Sequence, residues 1–462
     1  MPLQHPLREA LAVLLLWSAV AAAQEGDPRR ARIELSLAAA EAQGFSGQVL
    51  VLEAGGLFVE RGIGLADRES GVAITPETLF DIGSISKEFT RALVLELAAR
   101  GELSLEDPLS EHFEDLPADK AAITIEQVLS HRAGFHEYHD TEGDFEPMDR
   151  GEALGRILSQ ELLFEPGSDE AYSNSGYTLL AALVELRSGK GFQEFLRQTI
   201  LEPAGMKTTG FYGDPRWGEG QVARGYEVRT FGDNSPRTWP QISWALLGSG
   251  GMVSTARELS RWQQAVRNDR ILSDETRRAL VPMLAPDERM RISAGANDFG
   301  FVAYSLRAPG GRDVIVLTNS GMKNAERLTM ELGAILTGRR MEAPERRADS
   351  APEFPDSPTG RRCRALYEAL KSGEPEALRG FLDDNLTAEL RASRPIEEVI
   401  EDLRLTHDEL GDFELIGLAK TGAYSAGMTL EAGGLSGAVF RFELDLEEAE
   451  PHRIAALRVE SE

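Results

Sequence analysis

Two pairs of short apolar segments, one near each end of the first 340 residues, stand out in the hydrophobic pattern. The first pair spans residues 46–53 and 57–63, the second spans 299–307 and 312–318, and a glycine-rich turn joins each pair. Apolar runs joined in this way are typical of β-hairpins. Because mostly helical and loop sequence lies between them, we predict a mixed α/β (α+β) fold, with one antiparallel sheet flanked by helices and an inserted helical subdomain.

The pattern changes after residue 340. Residues 341–360 carry four prolines among charged and small residues without periodicity, which indicates a linker. Helical patterns and then strand-like runs fill residues 361–462, and these predict a separate small α+β domain. We therefore predict a main domain over residues 24–340, a linker and a C-terminal domain.

The N-terminus has the pattern of a secretory signal. Residues 10–23 form an apolar run that follows Arg8 and ends in three alanines, and this run is too short for a spanning helix. We predict that residues 1–23 are a signal peptide and that the mature chain is exported to the periplasm or the extracellular space. An N-terminal anchor is the alternative.

Composition narrows the range of partners. The chain has 76 acidic and 49 basic side chains, a formal net charge of −27, which disfavours nucleic acid and anionic membranes because both are polyanions. Cys363 is the only cysteine, so no disulfide can form within the chain. We expect a small-molecule or peptide-like substrate, with no cofactor and no metal.

The stretch 80–101 predicts a buried helix with candidate chemistry in its first turn. Gly83 permits a tight turn, and Ser84 is favourable at a helix start. Lys87 stands three residues after Ser84, so both share one helix face. A serine hydroxyl becomes nucleophilic when a base takes its proton, and a lysine desolvated in a pocket can act as that base. Taken singly, the spacing also fits a helix cap beside a solvated lysine.

The triplet Tyr172-Ser173-Asn174 lies in a predicted loop before a helix at 178–186. A tyrosine near a lysine can act as a general base, and an asparagine two residues later can orient a substrate amide or the lysine. Alone, such a triplet also fits an ordinary turn.

Together these residues resemble the serine beta-lactamase-like family, which includes class C beta-lactamases, D,D-peptidases and related esterases. Residues 80–90 are similar to its nucleophile segment, and residues 164–177 to its second motif. The resemblance covers about residues 31–338. Three further characteristic stretches match in order, at residues 123–134, 201–206 and 248–256.

The resemblance implies a serine hydrolase that works by acyl transfer on an amide, ester or lactam carbonyl. Ser84 would attack the carbonyl, Lys87 and Tyr172 would share the proton transfers, and Asn174 would position the substrate. Which of Lys87 and Tyr172 is the base stays open.

The third family motif, Lys-Thr-Gly or His-Thr-Gly, is matched here only by Ser293-Ala294-Gly295. The cationic or imidazole side chain is absent. By analogy, Ser293, Gly295 and Ala296 would line the substrate site, and the backbone N–H groups of Ser84 and Ala296 would bind the oxyanion. Misplacing one such donor lowers the rate about 10²- to 10³-fold.

Two other functions stay open. A catalytically degenerate member could serve as a cell-envelope ligand-binding protein. A metal enzyme is suggested by His131, His136 and His139 beside Glu137 and Asp140, although these histidines also fit loop positions beside the cleft. No G-x-S-x-G elbow occurs, which argues against an α/β-hydrolase.

The C-terminal domain weakly resembles the NTF2-like cone, in which helices precede a curved sheet. Such a fold often provides a pocket or a dimer face, so we expect a binding or assembly role, including self-association. Fold alone does not specify function.

Overall fold

The structure is a computed structural model of the 462-residue chain. It describes residues 27–141, 144, 146–226, 235–267, 271–284, 290–297, 299–320, 325–338, 354, 357–410, 413–420, 425–432, 439–447 and 451–461. The chain divides into two compact units, one up to residue 341 and one from residue 342. Within the described ranges, every helix is too short or too polar to span a bilayer. The predicted signal peptide and most of the predicted linker lie outside these ranges.

An antiparallel sheet forms the centre of the first unit. The strands of this unit are β1 (Gly47–Glu53), β2 (Gly56–Ile63), β3 (Leu65–Asp67), β4 (Val72–Ala73), β5 (Phe80–Asp81), β6 (Gly210–Phe211), β7 (Met252–Ser254), β8 (Arg291–Ala296), β9 (Val302–Ala308) and β10 (Arg312–Thr318). The main sheet has the order β2-β1-β10-β9-β8. Both predicted hairpins are present, and β1 pairs with β10, with Gly47 opposite Thr318. The predicted fold class is confirmed.

Helices cover both faces of this sheet. The helices of the first unit, including those of the inserted segment, are α1 (Pro28–Ala42), α2 (Ser86–Ala99), α3 (Ile125–Leu129), α4 (Arg150–Ser159), α5 (Asn174–Ser188), α6 (Phe192–Leu196), α7 (Ala256–Arg267), α8 (Asp274–Leu284) and α9 (Ala325–Thr337). Successive side chains of a strand point to opposite faces. Accordingly, Val49 and Val51 join a core with α1 and α9, whereas Leu50 and Leu52 join the larger core that contains α2 and α5.

The two segments that carry the predicted chemistry begin differently from the sequence prediction. A short 3₁₀ turn, Gly83–Ile85, precedes α2, so the α-helix begins at Ser86. α5 begins at Asn174, four residues before the predicted start, because the Ser173 hydroxyl accepts a hydrogen bond from the Gly176 N–H at 2.8 Å and caps the helix. Asn174 therefore lies in the first turn of a helix and not in a loop.

The second unit has its helices before its strands, as predicted. Its elements are α10 (Pro358–Ser372), α11 (Pro375–Asn385), α12 (Ala388–Ser393), α13 (Ile396–Leu410), β11 (Phe413–Lys420), β12 (Ser425–Ala432), β13 (Val439–Leu446) and β14 (Ile454–Ser461). The strands form one sheet in sequence order. α10 begins inside the segment predicted as linker, because Ser357 caps it and Pro358 suits a first helical turn. The NTF2-like assignment stays a prediction.

Candidate active site

The residues predicted to carry the chemistry meet at the start of α2. Lys87 Nζ lies 3.0 Å from Ser84 Oγ. The Tyr172 hydroxyl donates a hydrogen bond to the same Oγ at 2.7 Å. Asn174 Oδ1 accepts a hydrogen bond from Lys87 Nζ at 2.6 Å. The structure thus brings these four side chains into one connected cluster around Ser84.

A glycine-rich loop contacts α2 and the Lys87 amine. The Ser249 carbonyl accepts a hydrogen bond from Lys87 Nζ at 2.7 Å, and the Gly248 carbonyl accepts one from the Thr90 hydroxyl at 2.7 Å. Gly248 has a φ of +90°, and a Cβ there would lie 2.5 Å from the Tyr177 carbonyl oxygen. Only glycine fits this position. The family resemblance marked this stretch, but not its contact with the lysine.

Burial sets the protonation states of the two groups beside Ser84. Lys87 is 7% exposed, and burial lowers the pKa of its amine to about 7, against the opposing effect of the Asp144 and Glu137 charges. Burial of the phenol raises the pKa of Tyr172 to about 12, although its hydrogen bond with Ser84 acts in the other direction. At neutral pH a large fraction of the lysine is therefore free amine, while the phenol keeps its proton.

His131 supports the tyrosine from the side. Its ring centroid lies 4.9 Å from that of Tyr172 and 5.1 Å from that of Tyr177. The Ser173 N–H donates to His131 Nδ1 at 3.1 Å, which requires that nitrogen to be unprotonated. Burial, and then the charges of two nearby cations, lower the pKa of His131 to about 4. The histidine is therefore a neutral ring that fixes the loop before α5.

The backbone of β8 packs directly against the turn that holds Ser84. A Cβ on Gly295 would lie 2.2 Å from the Ile82 carbonyl oxygen and 2.6 Å from the Ser84 nitrogen. A Cβ on Gly83, whose φ is +50°, would lie 2.6 Å from the Ala296 nitrogen. The backbone nitrogens of Ser84 and Ala296 are therefore near neighbours. This arrangement is what an oxyanion hole made by their N–H groups would need.

Ser293 is engaged by charged residues that the sequence prediction missed. Its hydroxyl donates to Glu88 Oε1 at 2.5 Å and lies 3.0 Å from Arg307 Nη1. Arg307 is 1% exposed and also donates to Glu88. The sequence did carry a signal for this contact, because Glu88 lies in a mostly apolar helix and Arg307 is the one charged residue of β9.

Asp81 is a second buried group that the sequence prediction missed. It is 1% exposed, and its Oδ1 accepts a hydrogen bond from the Gly83 N–H at 2.6 Å. Burial raises the pKa of its carboxyl to about 6, because the effect of burial exceeds the opposing effect of the hydrogen bonds from Tyr212, Gly83 and Asn297. This carboxyl therefore connects the turn before Ser84 with the residues that follow β8.

The histidines considered as metal ligands have separate partners. His136 Nε2 lies 2.9 Å from the Glu161 carbonyl oxygen, and the buried His139 contacts the Ser175 hydroxyl at 3.2 Å through Nδ1. Within the ranges that the structure describes, no three His, Cys, Asp or Glu side chains are arranged to hold a metal ion.

Comparisons with known proteins identify the family of this chain. Residues 33–309, more than half of the chain, match the model of the Beta-lactamase family. A D-aminopeptidase of Brucella anthropi is 29% identical over 278 residues, which are 58% of this chain and 50% of that protein. Penicillin-binding protein 4* of Bacillus subtilis is 25% identical over 344 residues, 66% of this chain and 75% of that protein.

Some solved structures extend over both units. The octameric penicillin-binding protein homologue from Pyrococcus abyssi superposes with a TM-score of 0.59 at 21% identity, over 91% of each chain. That likeness shows the fold. The chain spans only half the length of the D-aminopeptidase that it matches. With the family match over residues 33–309, the conclusion is that the chain belongs to the beta-lactamase family.

Proposed function

We propose that this protein is an exported serine hydrolase that forms an acyl-enzyme on Ser84. The observation that carries the proposal is the pair of contacts at Ser84 Oγ, 3.0 Å to the Lys87 amine and 2.7 Å to the Tyr172 hydroxyl. A nucleophile within hydrogen-bond reach of a base, with that base oriented by further groups, is the arrangement that acyl transfer requires.

In this proposal Lys87 is the base. Its lowered pKa leaves much of the amine neutral near pH 7, and a neutral amine has two N–H groups and one lone pair. The N–H groups suit the Asn174 and Ser249 oxygens, which leaves the lone pair for the Ser84 proton. The raised pKa of Tyr172 keeps its phenol protonated near neutral pH, so it is suited to donate a proton to the leaving group.

Acyl transfer would then proceed in two stages, acylation of Ser84 and hydrolysis of the acyl-enzyme. Ser84 Oγ forms a bond to the substrate carbonyl carbon while its proton moves to Lys87, and the N–H groups of Ser84 and Ala296 stabilise the oxyanion. The bond to the leaving group breaks as that group takes the Tyr172 proton, and the proton held by Lys87 restores the Tyr172 hydroxyl. Water then attacks the acyl carbon while its proton moves to Lys87. The bond between that carbon and Ser84 Oγ breaks, Ser84 regains its proton from Lys87, and the acid is released.

For the substrate class, we infer amides or esters of D-amino acids or short D-configured peptides without a required carboxylate. The negative charges of Glu137 and Asp144 act on the Lys87 amine, so the local field favours neutral or cationic substrates. Ser293 carries no charge, and Arg307 beside it is buried against Glu88. The D-aminopeptidase relative supports this class more than the penicillin-binding relatives do.

The test is intact-mass labelling of the mature protein. A fluorophosphonate should add one adduct, Ser84→Ala should abolish it, and Ser168→Ala, which changes an exposed serine in the loop before α5, should leave it unchanged. Turnover of a D-alanine anilide should exceed that of penicillin. A folded protein that the fluorophosphonate does not label and that turns over neither substrate would support the ligand-binding alternative instead.

We also infer a role in self-association for the second unit. The support is the octameric state given for the Pyrococcus abyssi homologue, whose fold matches this chain over both units. Light scattering of the full chain tests this inference.

A further inference from the structure

A buried ion pair joins α2 to the sheet immediately behind the candidate site. Arg307 Nη2 on β9 lies 2.5 Å from Glu88 Oε1 on α2, and the two side chains are 1% and 11% exposed. The Ser293 hydroxyl on β8 bonds to the same Glu88 oxygen, and the Trp262 indole N–H donates to the other at 3.1 Å. We call Glu88, Arg307 and Ser293 the β8 brace.

Stability alone does not account for such a group. Removing two charges from water is costly, and buried ion pairs are often no more stabilising than apolar residues of the same volume. Four elements, α2, α7, β8 and β9, converge on the single Glu88 carboxylate. Directional bonds of this kind fix relative positions more narrowly than apolar packing does. The β8 brace is therefore better explained as a device that sets geometry.

The strand that it holds needs such a device. Among the strands that the structure describes, β8 lies at the edge of the main sheet and pairs with β9 on one side, so no described strand holds its other side. Ser293 and Gly295 share one face of β8, roughly 7 Å apart. Gly295 packs against Ser84, while Ser293 bonds to Glu88, one helical turn further along. β8 is thus held to the nucleophile segment at two points.

We propose that the β8 brace positions the Ala296 N–H beside the Ser84 N–H. The three residues are positioning residues, because none of them has to touch the substrate. This inference rests on the proposed function. It explains how a site with a serine at position 293 can still present two oxyanion donors.

The test removes both charges together, because a single change would leave one buried charge unpaired. In the double variant Glu88→Gln/Arg307→Met, kcat should fall about 10²-fold, as expected when a donor moves by about 1 Å. KM should change less than about threefold. The pH midpoint set by Lys87 should not move, and affinity for a boronic acid that mimics the tetrahedral intermediate should fall in parallel with kcat.

The chain offers a matched control in the same sheet. Arg267 on α7 and Asp313 on β10 form an ion pair with an Arg267 Nη2 to Asp313 Oδ1 distance of 2.7 Å and side-chain exposures of 19% and 0%, and β9 separates β10 from β8. Arg267→Met/Asp313→Asn should match the β8 brace variant in stability but keep the wild-type kcat. Equal kcat values in the two double variants would overturn the proposal.

A second readout separates this inference from the proposed function. Hydrogen exchange of the peptide covering residues 291–297 should be faster in the β8 brace variant than in the control, whether or not the protein is active. If the wild-type protein is not labelled at Ser84, the proposed function fails. The hydrogen-exchange comparison alone then tests whether the β8 brace positions β8. Equal exchange in both variants would refute it.

Discussion

Replacing Lys87 with methionine should make the protein more stable near neutral pH while abolishing its activity. Lys87 is buried, and its pKa is lowered from 10.5 to about 7. Because each pKa unit corresponds to about 1.4 kcal/mol, keeping this lysine in the folded state below pH 7 costs about 5 kcal/mol. The hydrogen bonds from Lys87 to Asn174 and Ser249 offset about 1 kcal/mol each. Methionine has a similar volume and needs no partners.

The pH dependence of the unfolding free energy shows whether the lowered pKa of Lys87 causes the gain in stability. The folded state binds fewer protons than the unfolded state between pH 7 and pH 10.5, so the stability of the wild-type protein should rise across that window. From pH 6 to pH 10 the rise amounts to about 4 kcal/mol. Methionine does not titrate, so the advantage of Lys87→Met should be largest at pH 6 and should shrink by that amount at pH 10.

Urea unfolding followed by tryptophan fluorescence is the assay. The five tryptophans are residues 17, 217, 239, 244 and 262, so the signal reports on the first unit and not on the second. Lys120→Met is the control, because Lys120 is also buried but pairs with Asp119 at 2.6 Å, and its loss should destabilise. A Lys87→Met effect of constant size from pH 6 to pH 10 would show that Lys87 is a normal ammonium, and the proposed base would be wrong.

Three other outcomes can be checked with the same protein preparations. The value of kcat/KM should rise with pH to a plateau above a midpoint near 7, because the neutral Lys87 amine is the base; a rate that still climbs at pH 10 would favour the Tyr172 phenolate. Asp81→Asn should stabilise the fold at pH 8 by up to about 3 kcal/mol, since burial raises the pKa of Asp81 to about 6. Burial penalises only the ionised carboxylate, so the gain in stability should shrink as the pH falls below 6. A gain in urea unfolding that does not depend on pH would contradict this cause. Gly295→Ala should lower kcat about 10²-fold, because the new Cβ would clash with the backbone of Ile82 and Ser84. The control Gly56→Ala should keep the wild-type kcat, because its Cβ would meet no atom closer than 3.5 Å.

Much of the fold could be predicted from local pattern. The two hairpins follow from apolar runs and glycine turns, and α2 follows from its nearly continuous apolar positions. The sequence prediction begins α5 four residues too late, because the apolar pattern does not show that Ser173 caps the helix. Capping residues are visible in the sequence, but several neighbouring residues could each serve as the cap, so the sequence alone does not fix where the helix begins.

The candidate site could also be predicted only in part from the sequence. Ser84, Lys87, Tyr172 and Asn174 could be proposed from their motifs, and the structure brings them together. The contact between Glu88 and Arg307 joins residues more than 200 positions apart, and it depends on strand order and register that periodicity does not reveal. Likewise, the pKa of Lys87 depends on its three-dimensional burial and not on its neighbours in the chain.

The pairing of β1 with β10 also has a consequence for biosynthesis. The two strands come from opposite ends of the first unit, separated by more than half of the chain. Closing such a distant pair is slow, because the chain loses much of its freedom before the contact forms. The main sheet cannot be completed until residue 318 has left the ribosome. A nascent chain that stalls before that point would expose the long apolar edge of β1, and we expect it to be aggregation-prone and a substrate for chaperones or proteolysis.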